Sequence, residues 1–450
     1  MKHLNVSVLG VPLVAIMLLF GTAARPESVA PTLPQYGADA HLGVVTCAGS
    51  TCHGATKPFQ NAVVMQDEFV IWHRKDKHAK AYQVLLNDQS KRIARNLGLK
   101  AAHTAKICLD CHADPVPEEL RGKRFQLSDG VGCESCHGGA KRYLGPHVSG
   151  ENTRQDNINT GMYPTEQPEA RAKLCLSCHL GTEDKFATHR IMGAGHPRIS
   201  FELDTFTEIQ PAHFRVDEDY KKRKRVWSGV QIWAIGQMLA VDQFLSLLAS
   251  SKFQNPGPWP ELAFFDCHAC HHPMSERRWR PRDETIALGP GVIRFNDANF
   301  LILNQIVDRL APDLGTTFKQ AIVDLHKASM QNKVSVQAAI SRLREMTDSI
   351  RGRLMQYQFS ASDMKSILHA IVVRGASGEL SDYAAAEQAT MAIASIKNVL
   401  ERTGSLTPGE KTKLTTTTDE IYKVLEDPDK YRPEQFETAL QSLAGTLSGS

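Results

Sequence analysis

Apolar and polar positions are arranged differently in the two parts of this chain. From Ser335 to Leu354, Val336, Ile340, Leu343, Met346, Ile350 and Leu354 recur at three- and four-residue steps, the repeat of one helix face. Ser381 can cap a helix running through Ile393, Ile396 and Leu400, with Gly404 past its end. Thr407-Pro408-Gly409-Glu410 reads as a capping box with proline at the first helical position. This spacing predicts an antiparallel bundle of four to six helices over residues 292–448, set off by the break Leu288-Gly289-Pro290-Gly291. Between His41 and about Arg282 no such repeat is sustained. Gly, Pro and Asp punctuate that region often, so its regular structure should be short helices, mostly those carrying the cysteine motifs described below. The exception is Val226–Ser250, where Val230, Trp233, Ile235, Leu239, Phe244 and Leu248 cover a broad face. It approaches the length of a membrane span, but Gln231, Gln237, Asp242 and Gln243 argue for burial in protein. The expected fold is mainly α with little regular sheet: a region over 41–288, then the helical bundle.

Near the N-terminus the pattern carries an address. Lys2 and His3 precede an apolar run from Val6 to Phe20, followed by the small residues Gly21-Thr22-Ala23-Ala24. Residues 1–24 therefore read as a secretory signal peptide, and the mature protein as periplasmic or otherwise exported. An uncleaved anchor is the competing reading, but the run is shorter than the ~20 residues a span requires. No cysteine follows it, which argues against a lipoprotein. Residues 25–40, rich in Pro and polar residues, read as a flexible lead-in.

Composition narrows the class further. The 450 residues suffice for two or three domains, and 42% hydrophobic with 22% charged residues is ordinary for a globular protein. A formal net charge of +3 is too near zero to argue for nucleic acid. One basic run stands out, Lys221-Lys222-Arg223-Lys224-Arg225. It reads first as a solvated helix flank, and otherwise as a partner for the carboxylates of a bound cofactor or of an acidic protein.

The ten cysteines carry the chemistry. Cys133-Glu-Ser-Cys136-His137 lies within the glycine-rich block Gly130–Gly139, and the same Cys-x-x-Cys-His spacing recurs at Cys108/Cys111/His112, Cys175/Cys178/His179 and Cys267/Cys270/His271. A stretched copy, with four residues between the thiols, is Cys47/Cys52/His53. This is the attachment sequence of c-type haem. Two thiols one helical turn apart reach the vinyl groups on one porphyrin edge, and the next histidine binds the iron axially. Five pairs use every cysteine, and each ends in His. A disulfide framework would not require those histidines, and zinc ribbons do not place His directly after the second Cys. Five covalent haem c groups are the expectation. Haem attachment outside the cytoplasm agrees with the signal peptide, and the porphyrins would supply apolar surface around which residues 41–282 fold.

Each iron has a second axial face. Of the 18 histidines, one is in the signal peptide, five are proximal, and His326 and His369 in the bundle read as ordinary core or surface residues. The remaining ten suffice for five distal ligands. Small neighbours in Gly193-Ala194-Gly195-His196-Pro197 would let a porphyrin face approach His196. His213 follows Pro211 in a similarly polar loop. His189 is a further candidate, and His272, pointing away from its own haem, could serve a neighbouring one. His41, His73, His103 and His268 read as surface residues.

The block Gly130–Gly139 with His147 ten residues after His137, and Trp72 followed by His78-Ala79-Lys80-Ala81, resemble the tetrahaem cytochrome c-554 family, which is related to the multihaem hydroxylamine oxidoreductases. The order of motifs matches from His78 to Cys175–His179. The resemblance covers roughly residues 45–180. It implies distal roles for His78 and His147, and electron transfer as the activity. It also implies that the haem at Cys108–His112 lacks a strong distal ligand. The departures are the stretched first motif, the motif at Cys267, the added bundle, and the absence of a histidine in residues 168–174, where the family has one.

The leading functional expectation is an exported pentahaem carrier passing electrons between redox partner proteins, with no membrane span after signal cleavage. The rival is an oxidoreductase acting on a small nitrogen or sulfur compound at one open haem. Against it stand the absence of a Cys-x-x-Cys-Lys motif and of any tyrosine marked for a cross-link to haem. A third class is a subunit of a haem-protein filament, with ligands shared between chains.

Overall fold

The computed structural model describes residue 1 and residues 31–60, 62, 64–253, 259–272 and 282–447. The expected signal peptide lies outside the described residues, Met1 excepted. Helices and short 3-10 turns make up the described residues, and the only pairings of strand type among them are single bridges at His41–Arg121 and Phe265–Phe295. The fold is mainly α.

The helix Gly229–Ala249 is the spine. Ser228 caps it, its side chain accepting from the Gln231 amide. It is long and apolar enough to cross a membrane, yet 72% of its most apolar window is buried within the protein. Its polar residues have protein partners. Gln231 donates to the Tyr357 carbonyl at 2.7 Å, and Gln243 to the Gly181 carbonyl at 2.8 Å. Gln237 donates to Gln388 and accepts from Asn299, both at 2.8 Å. Buried amides paired in this way cost little, whereas in lipid they would be unsatisfied.

Seven helices follow: Ala298–Leu310, Pro312–Ser329, Lys333–Leu354, Ala361–Ala376, Tyr383–Arg402, Pro408–Val424 and Pro433–Leu447. The count exceeds the expected four to six partly because Ala311 leaves helical backbone (φ −145°) and Pro312 starts a new helix immediately. The expected Ser335–Leu354 face is real: Val336, Ile340, Leu343, Ile350 and Leu354 are all at most 2% exposed. The Thr407/Glu410 capping box is formed. The cap of the Tyr383–Arg402 helix is Asp382, one residue after the expected Ser381, because its carboxylate reaches the Ala385 amide.

One apolar core joins these helices to the spine and continues into the Pro168–His179 helix through Ala172 and Leu176. The core thus runs on across the break at 288–291 to the turn that carries Cys175, Cys178 and His179. The helix Leu203–Ile209 also packs on the spine. There Gly236 matters: a β-carbon at that position would lie 2.6 Å from Leu203 Cβ. Alanine would gain about 1 kcal/mol of helix propensity, but overpacking costs about 1–3 kcal/mol. Gly236→Ala should therefore lower the denaturant midpoint, measured by urea unfolding, and an unchanged or raised midpoint would refute the contact.

Candidate multihaem centre

Each attachment motif sits at the end of a short, well-anchored segment. Cys108, Cys111 and His112 close the helix Lys106–His112, Cys133–His137 is a helix of its own, and Cys175–His179 ends Pro168–His179. The stretched motif is folded into a turn, with the His53 amide donating to the Cys47 carbonyl at 3.1 Å and Cys52 to Gly49 at 2.9 Å. Cys267–Ala269 is a 3-10 turn capped by Asp266, whose other oxygen accepts from Arg294 at 2.5 Å. Cys270 follows that turn as its C-cap, its amide donating to the Cys267 carbonyl at 3.2 Å, and the His271 amide reaches the same carbonyl at 2.8 Å. Glu134, inside the third motif, is 3% exposed and accepts from the amides of Leu42, Gly43 and Ala140 at 2.7–2.8 Å. It thereby ties the segment leading into the first motif to the third.

All ten cysteines are thiols, standing where thioether sulfurs would be in a matured cytochrome. The thiols of Cys47 and Cys133 are immediate neighbours, and so are those of Cys111 and Cys178. The first and third motifs, and the second and fourth, are therefore in direct contact. Lys185, only 7% exposed, bridges the second pair by donating to Cys178 Sγ at 3.1 Å and to the Asp110 carbonyl at 3.2 Å.

Every proximal histidine faces a second imidazole. Ring centroids are 6.3 Å apart for His53 and His147, 6.2 Å for His179 and His78, and 6.3 Å for His112 and His196. For His137 and His213 the separation is 6.2 Å, and for His271 and His189 it is 6.1 Å. Two metal–imidazole bonds of about 2 Å and the half-widths of two rings together span roughly 6 Å. Aromatic pairs in general also fall in this range. What singles these out is that five of five proximal rings share one separation, and that five of the ten rings also have Nδ1 on an acceptor. Nδ1 contacts a fixed acceptor in His53 (Glu68, 2.9 Å), His78 (Asp76, 2.9 Å), His112 (Ala81 carbonyl, 3.0 Å), His147 (Tyr143 carbonyl, 2.9 Å) and His196 (Pro197 carbonyl, 2.8 Å). Such contacts hold the proton on Nδ1 and leave Nε2 as the donor atom toward a metal. The residues present fit haem iron bound by two imidazoles.

The electrostatic settings of the rings differ. Burial opposes ionisation of Asp76, but its hydrogen bonds to His78 and Gln210 bring its carboxyl down to about 2. Burial, aided by nearby His213 and Arg154, holds the His137 imidazole down at about 3. A neutral imidazole is the form that binds a metal.

The distal segments are anchored by tertiary contacts that no local pattern announces. The loop bearing His196 leans on the helix Asp88–Leu97: Asn96 donates to the Ala194 carbonyl at 2.9 Å, Gln89 to the Gly195 carbonyl at 3.2 Å, and Ile93, Leu97 and Ala194 form a small apolar cluster. Gly195 takes φ +114°, which turns His196 toward His112. His189 begins the helix His189–Gly193, its amide donating to Glu261 at 2.8 Å.

Three expectations change. The site at Cys108–His112, which the family resemblance implied to be open, has His196 opposite its proximal ring. His41 is fully buried instead of lying at the surface, because its Nδ1 contacts Asp114 Oδ2 at 2.7 Å and its backbone pairs with Leu120 and Gly122. The third change concerns Cys270. The regular spacing of Cys267/Cys270/His271 predicts the same helical turn as in the other Cys-x-x-Cys-His motifs, yet Cys270 lies past the end of a three-residue 3-10 turn and is exposed. Its counterparts Cys111, Cys136 and Cys178 are half-buried within α-helix. The difference has a physical cause. Those three motifs pack against one another or against the core, whereas at the fifth the start of the turn is held, by Asp266 on Arg294 and by His268 against Tyr383, and Cys270 beyond its end faces solvent. Cys52 of the stretched motif is exposed as well.

Among the other three expected surface histidines, His73 is exposed, whereas His103 and His268 are half-buried against Tyr82 and Tyr383. The orienting groups Glu68, Asp76, Glu134 and Lys185 were missed by sequence reasoning. Asp76, two residues before His78, and Glu134, inside its motif, were the ones with a local signal.

The pattern of residues 46–138 matches the sequence model of a family described as cytochrome c554 and c-prime. No match emerged among curated proteins or among solved structures.

Burial works to lower the His41 pKa, but the bond and charge of Asp114 outweigh it and raise it above 6.5. A raised folded-state pKa contributes stability that is complete below the unfolded value and is lost as pH climbs through the folded one. The stability difference between wild type and His41→Gln should therefore shrink from about pH 6 to about pH 8. Urea midpoints across that range measure it, and a difference that grows with pH would contradict the charged pair.

Proposed function

We propose, from the premise that the chain is a cytochrome c554-like multihaem cytochrome binding haem c covalently and working in electron transfer, that it is an exported pentahaem electron carrier with every iron held by two histidines. The proximal set is His53, His112, His137, His179 and His271. The distal partners are His147, His196, His213, His78 and His189 in the same order. The observation that carries this reading is the set of five facing imidazole pairs at 6.1–6.3 Å. Haem iron with two imidazoles supplies one-electron exchange with little change of ligand.

The chain's own residues do the rest. The cysteines fix the porphyrin edges, Cys267 and Cys270 included, and the contacts Cys47–Cys133 and Cys111–Cys178 support close packing of the haems. Carboxylates and carbonyls at Nδ1 fix ring orientation. Residues 41–288 form the haem-bearing part, and 292–448 act with the spine as a scaffold that carries no attachment motif of its own. Residues 1–24 direct export to the periplasm, and redox proteins are the partners. The alternative, an enzyme with one open haem, loses its best candidate because His196 stands opposite His112.

Two measurements test this. Intact mass of protein matured in a cytochrome c-producing host should show five haems. Four would remove one attachment pair from the set, and peptide mapping would identify it as Cys47/Cys52 or Cys267/Cys270. The reduced protein should keep its visible spectrum under carbon monoxide, while His196→Ala should bind it at one haem in five. Carbon monoxide binding by the wild type would overturn the all-bis-histidine reading.

A further inference from the structure

The segment after His213 makes a surface that the haem sites do not use. His213 faces His137 at 6.2 Å, and the next residue, Phe214, stacks on Tyr220 at 6.0 Å. Lys224 Nζ lies 4.8 Å over the same Tyr220 ring. A continuous run of side chains thus leads from a candidate axial ligand to the outside. Phe214 and Val216 are each 46% exposed and Val226 is 49% exposed, so three large apolar residues stand in solvent beside that ligand.

Around them the charge is one-sided. Residues 215–225 hold six cations, Arg215, Lys221, Lys222, Arg223, Lys224 and Arg225, against three carboxylates, Asp217, Glu218 and Asp219. The excess of three equals the +3 of the entire chain. Glu218 is taken up by Lys221 at 2.6 Å and Asp219 by Arg223, and Arg225 lies over Trp227 at 3.7 Å. Arg215 and Lys222 are exposed, and neither makes an ion pair among the described residues. The base beneath is fixed: Arg154 clamps Glu166 with bonds of 3.0 and 2.6 Å, and Glu166 lies near Lys224.

We propose that this surface, Phe214, Val216 and Val226 ringed by Arg215, Lys221, Lys222 and Arg223, docks an acidic one-electron protein over the His213 face. The inference rests on the carrier reading and names where one partner binds. An apolar centre with a charged rim suits a short-lived complex, in which the rim steers encounter and the centre excludes water. A membrane surface fits less well, because the helix here, Glu218–Arg223, has six residues and too little apolar length to lie in an interface.

Flavodoxin, an acidic one-electron protein, is the probe, titrated into the haem-loaded protein by calorimetry at low salt. R215E/K222E, which breaks no ion pair, should weaken binding at least tenfold, and K221E/R223E should do the same. K411E/K413E/K423E on the helix Pro408–Val424 should change affinity less than twofold. Raising the salt to about 0.5 M, where screening acts over a few ångströms, should erase the difference. Equal affinity of wild type and R215E/K222E would overturn the proposal. So would loss of haem in R215E/K222E, which would assign these cations to propionates, or loss of binding to phosphatidylglycerol vesicles with flavodoxin affinity intact. Haem mass is measured on each variant: five haems without flavodoxin binding counts against the docking surface alone, and fewer in the wild type counts against the carrier reading.

Discussion

The arrangement depends on one geometric constraint: five imidazole pairs must be held ring to ring, each near 6 Å, by segments remote from one another in the chain. On the proposed reading, a ligand displaced by an ångström would no longer reach its iron, so the rings need fixing at the other nitrogen or along the backbone. Glu68 and Asp76 do this with carboxylates, and Ala81, Tyr143 and Pro197 with carbonyls. The carboxylates also stabilise positive charge, and burial of His137 opposes it. The same scaffold therefore presents imidazoles in unequal electrostatic settings.

Short helices of five to twelve residues, such as Cys133–His137 and Pro168–His179, would not hold such positions alone. Their support comes from the opposite side of the molecule. The spine Gly229–Ala249 is largely apolar because it is largely buried, by the Pro168–His179 and Leu203–Ile209 helices and by the C-terminal helices. The role of those helices is thus mechanical. Through Ala172 and Leu176 they fix the fourth motif, and the Cys111–Cys178 contact passes that support to the second. At the fifth motif the link is ionic: Arg294 holds Asp266, and Arg282 lies buried between Asp297 and Asp382. That link secures the start of the turn and leaves its far end, Cys270, at the surface.

Much of this was legible in the sequence. The attachment cysteines and proximal histidines are contiguous, so their chemistry is written in the spacing itself. The Lys333–Leu354 helix and the Thr407 capping box are equally local, because periodicity and side chain-to-backbone bonds act within a few residues. The long helix was readable as a core element from its glutamines, which need protein partners. The distal histidines were readable only as a pool, since any exposed imidazole on a loop competes for the same role.

Which histidine of that pool meets which proximal ring was decided by tertiary structure. His196 reaches His112 because Asn96 and Gln89 hold its loop against the helix Asp88–Leu97, and His41 lies inside the protein and not at its surface because Asp114 holds its Nδ1. The exposure of Cys270 belongs here too, since four motifs of identical spacing differ in what packs against them. These contacts join residues far apart in the chain, and their energies are settled by burial and by hydrogen bonds that no short window contains. The sequence by itself determined the cofactor chemistry, the number of attachment motifs and the helical class. The folded chain alone decided how the imidazoles pair, because pairing is a property of distance in space and the motifs encode only distance along the backbone.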